Sequence, residues 1–145
     1  MQNKLLILQG LPGSGKSTFT KTIIDQSPNS PNSPKWIRVN RDDLRVMCGL
    51  EWNQDNEVFI KEIEEEFVRR AIRSGKNVVV DDTNLANETC QRWKNLAAFL
   101  DCNIEFKFFY TPLETCIYRD SLRTNPVGEK IIRNLHNKYL KIDKI

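Results

Sequence analysis

Two kinds of hydrophobic pattern alternate along the chain. Short apolar runs of strand length lie at residues 4–9, 36–39, 77–81 and 104–110, and Leu5-Leu6-Ile7-Leu8 and Val78-Val79-Val80 are apolar throughout. Unbroken runs of this kind fit strands buried on both faces. Stretches that read as helices follow at residues 17–26, 41–48, 57–74, 88–100, 112–122 and 129–140. In the longest, Ile60, Ile63, Phe67, Ala71 and Ile72 form the apolar stripe, and Lys61, Glu62, Glu64, Glu65, Glu66, Arg69 and Arg70 take the solvated side. In the last, the stripe is Ile131, Ile132, Leu135 and Tyr139. Trp93 joins the core beside Leu96 and Ala97.

Punctuation supports these bounds. Asn40 is a good N-cap, with Asp43 placed to return a bond to the cap backbone, and Gly49 ends that helix. Asn87 is expected to cap the fourth helix, and Ser74-Gly75 stops the third. The Ser-Pro-Asn repeats of residues 27–34 can neither continue a helix nor pair in a sheet, which predicts a surface loop. Strands alternating with helices imply an α/β architecture, a small central parallel β-sheet with helices on both faces, in a single domain over residues 1–145.

Composition narrows the setting. No apolar run approaches membrane-spanning length, and the N-terminus lacks a leader-like stretch, so a cytoplasmic protein with no membrane partner is expected. The net charge of +3 permits a polyanionic partner without demanding one. The four cysteines form neither a zinc pattern nor Cys-x-x-Cys, and Cys116 is expected in the core. The only histidine, His136, lies in the C-terminal helix, far along the chain from Ser17, so a serine-histidine triad is set aside.

The candidate chemistry begins at Gly10-Leu11-Pro12-Gly13-Ser14-Gly15-Lys16-Ser17-Thr18, which fits the phosphate-binding P-loop in its required place between a strand and a helix. Glycines allow successive backbone N–H groups to point inward at an anion, and the helix N-terminus adds its positive end. Gly13, Ser14, Gly15, Lys16, Ser17 and Thr18 are thus expected to bind ATP, with Lys16 on the β- and γ-phosphates and the Ser17 hydroxyl on Mg²⁺. Mg²⁺ follows from this chemistry and not from a recognisable ligand cage.

Two further polar groups follow strand ends, and in an open α/β sheet that edge is where ligands bind. Asp42 and Arg45, three residues apart, share a helix face. Asp82, Thr83 and Asn84 follow the third strand. Arg119 and Arg123 come one turn apart on a later helix. Phosphoryl transfer needs such parts: a base for the acceptor (Asp42), an anion holder (Arg45), an acid at the metal (Asp82) and cations on the transferring group (Arg123, with Arg119). Plainer alternatives stand beside each: a charged helix start, a capped turn, surface arginines.

In order, these motifs resemble the kinase domain of the bacteriophage T4-type polynucleotide 5′-hydroxyl kinases, over nearly the whole length. The tandem Asn40-Arg41-Asp42-Asp43-x-x-Arg45 and Asp82-Thr83-Asn84 stretches carry the resemblance more specifically than the P-loop does. It implies a P-loop kinase fold and an ATP-dependent enzyme acting on 5′-hydroxyl ends of DNA or RNA, in nucleic-acid repair. It also implies a cytoplasmic setting, including that of a phage-infected host, and names no protein partner. Lys16, Asp42 and Arg123 would be catalytic. Arg45 would hold the acceptor's 3′-phosphate with Thr83 helping, Asp82 would support the site, and Arg119 would lie near the nucleotide. Two departures stand out. The chain has no Asp-x-Asp-Gly-Thr motif, so no phosphatase activity is expected, and the lid segment after Arg123 is short. Other readings are a small-molecule or nucleoside kinase and a non-catalytic nucleotide-binding module. Trp52, in a polar loop after the acceptor helix, is the better stacking candidate among the tryptophans.

Overall fold

A computed structural model of the chain describes residues 3–27 and 32–141. Residues 28–31, the middle of the segment read as a Ser-Pro-Asn loop, lie outside the described residues. The elements are β1 (Lys4–Gln9), α1 (Lys16–Asp25), β2 (Trp36–Val39), α2 (Arg41–Cys48), α3 (Gln54–Arg73), β3 (Asn77–Val80), α4 (Asn87–Leu100), β4 (Asn103–Phe108), α5 (Leu113–Ser121) and α6 (Glu129–Tyr139). The four strands run parallel in the order β2-β3-β1-β4.

The side-chain period of two explains the layers. Leu5 and Ile7 of β1, with Val78 and Val80 of β3, face a core closed by Val68, Ala71 and Ile72 of α3 and Trp93, Leu96 and Ala97 of α4. Leu6, Leu8 and Val79 face the other way, onto Phe19 and Ile23 of α1. Leu11, Cys116 and Ile132 form a third cluster, where α5 and α6 pack beside the end of β1. The inner strands are therefore apolar on both faces, whereas β4, paired on one side only, alternates half-buried with exposed positions.

Several expectations are corrected. Helix α3 begins a turn earlier than the apolar stripe suggested, because the Asn53 side chain accepts from the Asn56 N–H at 2.8 Å and caps it. Its buried face is Ile60, Glu64, Val68, Ala71 and Ile72. Glu64 lies in the middle of that face and is fully buried, where a solvated position was expected. Asn87 is the first helical residue of α4 and not its cap; the chain enters the helix directly from a turn at Asn84, and the Ala86 carbonyl accepts from Cys90 N–H. On α6, Ile132 is fully buried, whereas Ile131 and Tyr139 of the expected stripe are exposed. Trp93 and Cys116 are in the core as expected.

The turn at Asn84 holds two strand ends together. Its backbone takes φ 45°, a left-handed conformation that asparagine tolerates better than most residues. The buried amide donates to Leu8 O at 2.7 Å, and its oxygen accepts from Trp93 Nε1 at 3.1 Å. Nearby, Gly10 N–H donates to Thr83 O at 3.0 Å. The end of β1 and the end of β3 thus reach the site in fixed register.

Replacing Asn84 with alanine would orphan two buried polar groups and strain the turn. The expected loss is about 2–4 kcal/mol, read as a lower urea midpoint; an unchanged midpoint would refute this account of the turn.

Candidate active site

The glycine loop takes the shape its sequence predicts. Gly13 and Gly15 have φ 81° and 106°. At Gly13 there is also no room, since a Cβ would stand 2.3 Å from the Cys116 carbonyl oxygen of α5. Thr111 Oγ1 donates to Ser14 O at 2.7 Å and ties the loop to the end of β4. Lys16 is buried, and its ammonium donates to Gly10 O (2.9 Å), Leu11 O (2.7 Å) and Ser14 Oγ (3.3 Å). Burial lowers its pKa to about 8, partly opposed by the negative charge of Asp81.

Beyond β3 two consecutive carboxylates diverge. Asp81 shares the parity of Val79 and points to the α1 side of the sheet. There it accepts from Ser17 Oγ at 3.2 Å and from Arg38 Nε at 2.8 Å. Asp82 shares the parity of Val80 and turns toward α2 and α3. Its Oδ1 accepts from Arg41 N–H at 2.9 Å, and Arg41 Nε lies 3.5 Å from Oδ2. The acid beside the Ser17 hydroxyl is therefore Asp81, whereas Asp82, the acid expected on the metal side, faces Arg41. The alternation of faces along β3 was the signal that distinguishes the two.

Asp82 meets Glu64 instead. Asp82 Oδ2 and both Glu64 oxygens are buried without a hydrogen-bond partner. Two carboxylates can bond only if one carries a proton. Burial, and then the neighbouring Asp82, push the Glu64 pKa well above its ordinary value. Of the two, Glu64 is the carboxyl whose neutral form this arrangement favours, with Asp82 as the neighbouring acceptor. Arg41 and Arg92 are the nearby cations that oppose this shift; Arg41 Nε lies 3.9 Å from Glu64 and its Nη1 3.7 Å from Glu57.

Helix α2 presents Asp42 and Arg45. Asn40 caps it by accepting from Asp43 N–H at 2.9 Å, and its amide donates to Asp81 O. Asp43 makes no return bond to the cap; its carboxylate pairs with Arg38. Arg45 Nη1 donates to Asp42 Oδ1 at 2.8 Å, its Nη2 reaches the same oxygen, and its Nε donates to Glu57 at 3.1 Å. Asp42 itself is largely exposed.

On the lid side, Arg119 Nη1 stands 3.9 Å from where a Gly15 Cβ would be. Arg123 is half-exposed, 3.6 Å from Asp120. Asp120 is buried and accepts from the N–H groups of Val127 (3.0 Å) and Gly128 (2.9 Å), which fixes the short segment after Arg123.

One cleft of about 1250 Å³ collects these groups. Its walls include Gly13, Ser14, Gly15, Lys16, Ser17, Thr18, Asp42, Arg45, Asp82, Thr83, Arg119 and Arg123, which are all the residues the sequence nominated. Asp81, Arg38, Glu57, Glu64 and Asp120 were missed as site-building residues. Ser17 and Asp81 together offer hard oxygen ligands that suit Mg²⁺, which takes one or two protein ligands and completes its shell from phosphates and water. Among the described residues no group of three or more His, Cys, Asp or Glu could hold a metal alone, and no helix is long and apolar enough to cross a membrane.

The Glu64 proton predicts a pH signature. Because folding raises this pKa, the folded state binds more protons above about pH 4.5, and the group's contribution to stability falls as pH rises through the folded value. Glu64→Gln keeps a donor for Asp82 without titrating. Its stability relative to the native chain should improve from pH 5 to pH 8 in denaturant titrations, whereas a pH-independent difference would rule out the shared proton.

Comparison with known proteins agrees with this geometry. Over 97% of its length the chain is 30% identical to a protein described as a bifunctional polynucleotide kinase/RNA ligase of Autographa californica nuclear polyhedrosis virus, of which it covers 21%. It is 28% identical, over 93% of its length, to the L-seryl-tRNA(Sec) kinase of Methanococcus maripaludis, and covers 52% of that protein. It thus spans about a fifth and about half of these relatives. Among solved structures, a chain of the Pnkp1/Rnl/Hen1 RNA repair complex superposes with a TM-score of 0.80 and 31% identity, over 94% of this chain and 44% of that one. A family profile matches residues 5–140, nearly the whole length, and by that match the chain belongs to the AAA-domain family.

Proposed function

We propose that this chain is an ATP-dependent polynucleotide kinase that phosphorylates 5′-hydroxyl ends in nucleic-acid repair. The observation that carries the reading is the Asp42–Arg45 pair, held on α2 so that it faces the phosphate-binding loop across one cleft. The kinase relatives and the chain from an RNA repair complex support it, and favour RNA ends. Four free cysteines fit a reducing cytoplasm.

Bound ATP would supply the γ-phosphoryl group, and Mg²⁺ the positive charge on its oxygens. Ser17 and Asp81 would hold the metal. Residues 13–18 would cradle the polyphosphate, with Lys16 exchanging a loop carbonyl for a phosphate oxygen. Asp42 would accept the proton of the 5′-hydroxyl. Three of the five Arg45 N–H groups are engaged, which leaves two for the acceptor's 3′-phosphate. Thr83 would orient the same nucleotide, and Arg119 and Arg123 would take charge developing on the transferring group. Asp82 would position α2 through Arg41 without touching substrate. A second reading, an alcohol carried on a tRNA, is favoured by the seryl-tRNA kinase relative.

Transfer of label from γ-labelled ATP to 5′-hydroxyl oligonucleotides tests the assignment. Asp42→Asn should lower kcat about 10²- to 10⁴-fold while ATP still binds. Undiminished transfer by this variant would sink the proposed base, and label found only on seryl-tRNA would establish the second reading.

Lys16 adds a separate test. With its pKa near 8 before binding, a polyphosphate beside it would raise that value. ATP affinity should then fall as pH rises above 8, and binding at pH 8 should take up about half a proton. Calorimetry in buffers of different ionisation enthalpy reads this directly; a heat independent of buffer would contradict it.

A further inference from the structure

Trp52 is 69% exposed, yet it lines the same cleft as Asp42 and Arg45. Trp93, by contrast, is wholly buried. Lys61, on α3, also lines the cleft, and its ammonium has no ion pair or hydrogen bond among the described residues. Most other cations around it are committed: Arg38, Arg41, Arg45 and Arg123 each face a carboxylate. Lys61 follows Glu57 by four residues and so shares its helix face, one turn and about 6 Å further along. Glu57 is the residue that anchors Arg45.

We infer that Trp52 and Lys61 form a second acceptor subsite, for the nucleotide on the 3′ side of the terminal one. The inference rests on the polynucleotide reading above and deepens it. Arg45 takes the phosphate that follows the terminal nucleotide. Lys61, one helical turn beyond the Arg45 anchor, takes the next phosphate. The Trp52 indole stacks on the base between them. Stacking on an exposed ring is tolerant of sequence, because every base has a π-face. A free ammonium adds an attraction that weakens with salt. The subsite selects a strand over a nucleoside, which the P-loop and Asp42 alone do not do.

The test compares kcat/KM for a nucleoside 3′-monophosphate, a dinucleotide carrying a 3′-phosphate, and a hexanucleotide. The native chain should gain about tenfold or more from the mononucleotide to the dinucleotide. Trp52→Ala and Lys61→Ala should collapse that ratio, chiefly through KM, and Trp52→Phe should restore most of it. Lys61→Ala should also flatten the log–log salt dependence for the hexanucleotide by about 0.7. Because Trp52 is exposed, thermal unfolding checks that the variants remain folded. If no acceptor of any length is labelled, the kinase reading itself fails and takes the subsite with it. If the mononucleotide is labelled but length brings no gain, or the variants keep the gain, the kinase reading stands and the subsite is overturned.

Discussion

Asp81 and Asp82 put two neighbouring carboxylates at the buried end of β3, and much of the site is arranged around their charge. Consecutive residues leaving a strand point to opposite faces, so the two anions are sent into different layers. Asp81 is met by Arg38 and the Ser17 hydroxyl. Asp82 is met by the first N–H of α2 and by Arg41. At Glu64, burial and the neighbouring Asp82 favour the neutral carboxyl, opposed by Arg41 and Arg92. Desolvation makes a lone buried charge costly, which is why each of these groups has a cation, a donor or a proton beside it.

The consequence is clearest in α2, the helix that bears Asp42 and Arg45. None of its eight residues is buried. Leu44 packs against the core only in part. Its placement comes from the Asn40 cap, the bonds to Asp82, the Arg38–Asp43 pair and the bridge from Glu57 to Arg41 and Arg45. A helix held by ionic anchors over little apolar area depends on those anchors for its position. The position of Asp42 and Arg45 in the cleft is thereby coupled to the charged groups beneath α2.

How far the chain could be read in advance follows from the same distinction. The β1 and β3 runs are apolar on both faces, so their strands and the α/β class were plain, and the glycine loop announced its own chemistry. That Asp42, Arg45, Arg119 and Arg123 would share one cleft was legible because each sits at a recognisable offset from a strand end or along a helix. What failed were judgements about burial of charge. Glu64 looks solvated in Glu64-Glu65-Glu66, since its partners Arg41 and Asp82 lie far along the chain. That Asp81 and not Asp82 meets the Ser17 hydroxyl follows from the alternation that Val79 and Val80 already displayed. Asn87 looks like a cap by residue type, but the Asn84 turn delivers the chain into α4 without one.

The lid side is organised in the opposite manner. Helix α5 presses its backbone on Gly13, so the phosphate loop cannot shift without displacing α5. Asp120, buried on that helix, holds the segment after Arg123 by two backbone bonds, and Ile132 locks α6 against Leu11 and Cys116. The cradle, Arg119 and the lid segment therefore form one packed body, in which a short loop suffices because Asp120 replaces the missing length with hydrogen bonds. Against that body stands α2, tethered by charge. Of the two, the tethered wall is the one able to adjust, since two packings of a tight core do not interchange as readily as ion pairs. Arg45 is central to that tether, because the same guanidinium ties Asp42 to Glu57.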